Sequence, residues 1–224
     1  MKTAMTMAAV ALVAACPAIA RAQMGGHPGE QAKDAKAAQE RKADQQQQRA
    51  PRETVTATLN GKKVTVEYGR PALAGRTLDQ LMAKLGPDRV WRAGENQVTT
   101  LTAESDVMIG GKRVPAGKYS LYLYLPEGGD WHLLLNKDPG IPLKQIYAAA
   151  PPDLASELWP RLDGYDKIAT TEVLRVPLRR AAAAEPMDRF LIGLAPAKGG
   201  ASSIAFTWGD QTWSTDVSAA TASK

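Results

Sequence analysis

Two runs of alternating side chains flank the pair Asn60-Gly61, and this arrangement constrains the fold more than any other feature of the sequence. Val55, Ala57 and Leu59 alternate with Thr54, Thr56 and Thr58; beyond the pair, Val64, Val66 and Tyr68 alternate with Thr65 and Glu67. A period of two places each set on one face of a strand. Asn-Gly supplies the two positive φ angles of a type I′ hairpin turn. The same period returns in residues 118–125, where Tyr119, Leu121, Leu123 and Leu125 oppose Ser120, Tyr122 and Tyr124. Glu127-Gly128-Gly129-Asp130 then turns the chain into a partner strand over 131–136. Further strands are predicted at 97–103, 107–109, 171–178, 189–194, 203–208 and 212–217, the last two forming a hairpin about Gly209-Asp210-Gln211. Short helices are predicted over 78–85, capped by Thr77 or Asp79 and stopped by Gly86-Pro87, and over 153–159. Residues 53–218 therefore read as mainly β: a single antiparallel β-sandwich or flattened barrel with one or two short helices and no internal repeat. Residues 219–224 are a short tail.

What precedes this domain has a different character. Lys2, then an apolar run from Ala4 to Ala15, then Ala20-Arg21-Ala22 read as a secretory signal peptide over 1–22, cleaved before Gln23. The apolar run is too short for a stable membrane span. The protein is therefore expected to be exported, to the periplasm or the exterior. The alternative is a lipid anchor, because Val13-Ala14-Ala15-Cys16 resembles a lipobox; Pro17 directly after the cysteine and the downstream Ala-x-Ala site count against it. A membrane is a partner only if Cys16 is lipidated. Residues 23–52 are rich in Ala, Gln, Lys, Glu and Asp, include His27, and lack the large apolar side chains that offset ordering entropy. They are predicted to be a disordered or frayed-helical tether ended by Pro51.

Cys16 is the single cysteine. Signal cleavage would leave the mature chain without disulfides, a thiol nucleophile or thiolate metal ligands. Lys and Arg number 28 against 23 Asp and Glu. Two of the cations, Lys2 and Arg21, lie in the acid-free signal segment, so the mature excess is only three. So small an excess, without a basic run, argues against a nucleic-acid partner.

Several loop segments carry a recognisable pattern. Tyr68-Gly69-Arg70-Pro71, Gly75-Arg76, the stretch from Val90-Trp91-Arg92-Ala93-Gly94 through Glu95-Asn96-Gln97-Val98-Thr99-Thr100, and Val114-Pro115-Ala116-Gly117-Lys118-Tyr119-Ser120-Leu121 lie in order. Together they resemble a bacterial family known as domain of unknown function 2911, over residues 53–218. The resemblance implies an exported β-rich domain and brings no reaction with it. Where the family pattern continues Ala-Asn-Glu-Ala-Thr, this chain has Glu95-Asn96-Gln97-Val98-Thr99, so Gln97 replaces the usual carboxylate.

The same loops hold the candidate site: Arg70, Arg76, Trp91, Arg92, Glu95 and Asn96. Arginine's planar fork suits carboxylates, phosphates or sugar hydroxyls. Gathered at one end of a sandwich, these residues would line a polar pocket. The competing reading is structural: the arginines pair with Glu95 or cap loop carbonyls, Trp91 fills the core, and the glycines allow tight turns. Tyr122, Tyr124 and Trp131 offer either a stacking platform for a sugar or peptide or plain packing. Catalytic signals are sparse. His132 is the histidine of the domain, there is no Gly-x-Ser-x-Gly, and neither phosphate-loop motif occurs. No metal site or cofactor is predicted. The sequence thus points to a non-catalytic envelope or extracellular module for a small-molecule, saccharide or peptide ligand. The alternatives are a hydrolase of cell-wall or extracellular substrates with Glu95 as general acid or base, and a structural envelope protein.

Overall fold

The computed structural model describes residues 52–161, 164–196 and 202–220; the predicted signal, the tether short of Arg52 and residues 221–224 lie outside them. The hairpin forms as the pattern requires. β1 (Arg52–Leu59) pairs with β2 (Lys62–Gly69) in a register that sets Leu59 opposite Lys62. Asn60 and Gly61 carry φ of 48° and 77°. β2 then pairs with β4 (Thr100–Ala103), β4 with β7 (Gly117–Tyr124), β7 with β8 (His132–Asn136), and β8 with β11 (Glu172–Pro177). The two-residue β3 (Val90–Trp91) also pairs with β7, completing a seven-stranded antiparallel sheet.

A second, four-stranded sheet runs β12 (Arg179–Pro196), β13 (Ser202–Ala219), β5 (Val107–Ile109) and β6 (Lys112–Val114). The core lies between the two sheets. Val66, Leu101, Leu121, Leu123, Leu133, Leu135 and Val176 from one meet Phe190, Ile192, Ile204, Phe206 and Val217 from the other. Tyr68 locks the layers, its hydroxyl accepting from the Ile192 N–H at 2.9 Å. The sandwich is not a closed barrel.

Three expectations change. First, residues 203–208 and 212–217 do not fold back on each other. They belong to one bent strand, β13, whose antiparallel partner is β12. Gly209 (φ 59°) sits at the bend, and the Thr207 and Thr212 hydroxyls approach to 2.9 Å across it. The buried set passes from even positions (204, 206, 208) to odd ones (213, 215, 217) while still facing inward. That parity change marks an inserted residue in a continuous strand. Second, the strand predicted over 189–194 extends back to Arg179, through residues without alternation. Third, residues 153–159 are not helical. Trp159 precedes Pro160, which favours extended backbone, and β10 (Leu158–Trp159) pairs with β9 (Ile141–Pro142). A helical turn, α2 (Leu143–Ile146), lies elsewhere. The helix predicted over 78–85 is the shorter α1 (Leu78–Met82). Thr77 and Gln80 close its capping box: the Thr77 hydroxyl accepts from the Gln80 N–H, and the Gln80 side chain accepts from the Thr77 N–H.

The segment from Asp138 to Thr171 covers the outer face of the large sheet. Consequently β7 and β8 are buried on both faces, with Tyr122, Leu134, Tyr165 and Ile168 forming a second apolar cluster. Asn136, fully buried, anchors this cover. Its amide donates to the Ile168 carbonyl at 2.8 Å and its oxygen accepts from the Thr171 hydroxyl at 2.7 Å and the Asp138 N–H at 2.8 Å.

Candidate functional site

The six residues singled out by the sequence are not gathered into one cavity. Arg70 ties the end of β2 to its neighbours: it donates to the Phe190 carbonyl at 3.1 Å and pairs with Glu53 at 2.8 Å. Arg76 folds back on its own loop, donating to the carbonyls of Leu73 and Ala72 at 2.8 and 3.0 Å. Trp91 stacks on Trp208 (5.1 Å, 15°) and meets Phe190 edge-on at 4.7 Å. Asn96 adopts φ 65° in the loop after β3. The backbone of Glu95 presses on Gly69 so closely that a Cβ there would overlap the Glu95 carbonyl oxygen.

Arg92 differs from the other arginines. It is half-buried, and among the described residues no hydrogen bond or ion pair engages its guanidinium. Burial lowers its pKa, while Glu95 and Tyr122 pull it back up. With Trp91 it lines a cavity of about 620 Å³ on the outer face of the large sheet. The floor is Val90 and Tyr122. One wall follows α1 (Lys84, Leu85, Asp88) and the other comes from the covering segment (Arg161, Tyr165, Ile168). The Tyr122 hydroxyl is buried without a hydrogen-bond partner, and burial pushes its pKa up to about 12.

The other charges of the lining are already engaged. Asp88 accepts from the backbone N–H groups of Tyr165 (2.8 Å) and Val90 (3.3 Å). Arg161 pairs with Asp138 at 3.4 Å, and Asp166 with Lys167 at 3.4 Å. Tyr165 donates its hydroxyl to Glu172 at 2.9 Å and is held well above the ordinary tyrosine pKa, chiefly by burial. The cavity thus combines an apolar wall with a desolvated cation that no hydrogen bond or ion pair engages among the described residues.

Two further cavities flank this one. One of about 410 Å³ lies beneath Arg52. There Gln97 donates to Glu157 at 2.8 Å, and Arg52 donates to the Val98 carbonyl at 3.1 Å. The other, an open groove of about 970 Å³ on the far side of α1, is lined by Arg76, Trp131 and Trp213. Glu95 lines none of the three cavities.

The aromatic platform is divided in the same way. Tyr122 faces the first cavity, Tyr124 lies beneath Arg175 at 5.1 Å, and Trp131 enters the groove. His132 is a strand residue beside Tyr124, with Nδ1 buried and unpartnered. No group of three or more His, Cys, Asp or Glu among the described residues is arranged to hold a metal ion. Sequence reasoning missed Lys84, Arg161 and Tyr165, which stand in or beside loops without periodicity. Proximity to Gly164 and Pro160 was the available signal.

A family model described as a protein of unknown function, DUF2911, matches residues 50–217. No curated protein and no solved structure matches the chain.

Proposed function

Since the chain belongs to the DUF2911 family of proteins of unknown function, we propose from its geometry that it is a non-catalytic binding module whose ligand is a small organic anion, seated in the cavity beneath Arg92. The observation that carries this reading is the half-buried, unpartnered guanidinium of Arg92 beside the unpartnered hydroxyl of Tyr122. A desolvated cation and an orphaned donor are each costly to the fold. A carboxylate or phosphate would answer both, through charge-assisted hydrogen bonds. The apolar surfaces of Val90, Trp91, Leu85 and Ile168 suit a ligand with a hydrocarbon or aromatic body. Cavities of this size commonly receive small ligands, in the range of about 300–1,000 Å³. The engaged carboxylates of Asp88 and Asp166 favour holding an anion over activating a nucleophile. The module meets its ligand outside the cytoplasm, carried there by residues 1–22 as an export signal.

Calorimetric titration of the full chain with octanoate, benzoate and phenyl phosphate tests the reading. At least one should bind, and Arg92→Met should weaken it by about tenfold or more, a loss of about 1.4 kcal/mol. Equal binding of the neutral benzyl alcohol, or undiminished binding by a folded Arg92→Met variant, would overturn it.

A further inference from the structure

The open groove on the far side of α1 has a different chemistry. Trp131 lies flat on Trp213, ring centroids 3.7 Å apart and planes within 1°. Trp213 is 4% exposed, whereas Trp131 is only partly buried, so Trp131 is the ring left to the groove. The groove's arginines are committed: Arg76 to the Leu73 and Ala72 carbonyls, Arg89 to those of Leu125 and Met82, and Arg180 to the Gln211 side chain at 2.7 Å. Of its carboxylates, Glu127 pairs with Arg89 at 3.8 Å, and the other three are uncommitted. Asp79, Asp130 and Asp210 are exposed, and their side chains make no hydrogen bond or ion pair among the described residues.

We infer that this groove is a second binding site, and that its occupant is a neutral saccharide. An indole face accepts the apolar C–H face of a pyranose ring, while free carboxylates accept hydrogen bonds from its hydroxyls. Three arginines in the lining stand against Asp79, Glu127, Asp130 and Asp210, so the net charge is close to zero and favours an uncharged polar ligand over an ion. The groove's volume of about 970 Å³ can hold more than one sugar unit. The site is separate from the Arg92 cavity and does not depend on that reading.

The test is saturation-transfer NMR and calorimetry of the full chain with maltose, cellobiose and diacetylchitobiose, at up to about 20 mM to reach millimolar dissociation constants. At least one disaccharide should bind. Trp131→Ala should weaken it about tenfold or more, and Trp131→Phe should retain most of the affinity. Asp210→Asn should weaken binding severalfold with no change in the urea midpoint, and so reads the site even if Trp131→Ala fails to fold. Arg92→Met should leave disaccharide binding unchanged. No binding by any of the three sugars overturns the inference. So does binding that survives Trp131→Ala in a folded protein, or a groove that takes choline in place of sugar.

Discussion

Burying the Tyr122 hydroxyl without a partner has measurable consequences apart from any ligand. The ordinary tyrosine pKa is 10, and burial raises that of Tyr122 to about 12. The folded protein therefore keeps a proton that the unfolded chain gives up above pH 10. The associated stability is complete below pH 10 and drains away as pH rises toward 12, by at most about 1.4 kcal/mol per pH unit. Tyr165, also raised by burial, acts in the same direction. Tyr122→Phe should thus be as stable as the parent at pH 7, or up to about 1–2 kcal/mol more so because the orphaned hydroxyl is gone. It should lose less stability than the parent between pH 10 and 12, and urea midpoints at pH 7, 10 and 11 check both. Residues of this kind were only partly legible in the sequence. Arg92 and Trp91 stand in a dense loop pattern and do share a cavity, whereas Arg70 and Arg76 look alike in sequence but are consumed by backbone carbonyls, Arg70's distant in sequence and Arg76's local. What separates them is whether a backbone acceptor lies within reach, and that depends on contacts such as Arg70 to Phe190, 120 positions apart.

At the scale of elements, the end of β2 and the loop carrying Arg92 act as a unit. Gly69 accepts the Glu95 backbone at a distance no Cβ tolerates, and a Cβ on Gly94 would lie 2.6 Å from the Thr99 hydroxyl. Gly69→Ala should therefore push the Glu95 segment off β2, costing about 2–4 kcal/mol in urea unfolding. It should also weaken anion binding in whatever fraction remains folded, since the displaced loop carries Arg92. Gly61→Ala, by contrast, meets open space, and only its positive φ costs stability, about 1 kcal/mol. Turn chemistry made the first hairpin legible, because Asn-Gly has few other uses between alternating runs. Gly209-Asp210 misled for the same reason: a glycine at positive φ serves a bulge as well as a turn. The even-to-odd shift of buried positions distinguishes the two, but only once the facing strand is known.

Across the whole molecule, strand alternation made the sandwich readable, whereas the layer over its outer face was hidden. Residues 138–171 have no period, and they are held by the Asn136 hydrogen bonds, whose partners lie 2–35 positions away. The cavity exists only because that cover stands over β7, so a site built this way leaves little trace in local sequence. The long pair β12 and β13 has one more consequence. Between the facing pairs Ala182–Gln211 and Met187–Gly209, β12 holds four residues, 183–186, against one on β13. The excess forms an irregularity in the strand, Ala184, Glu185 and Pro186 being exposed, while ladders on either side fix both ends. Extra chain added there lengthens an excursion whose ends are already pinned, which costs only a few tenths of a kcal/mol to about 1 kcal/mol. A short epitope spliced between Ala184 and Glu185 should leave the urea midpoint nearly unchanged and the Arg92 cavity intact, since residues 183–186 line no part of that cavity. The position is therefore a natural port for a label or an immobilising handle, from which the Arg92 cavity can be watched without touching it.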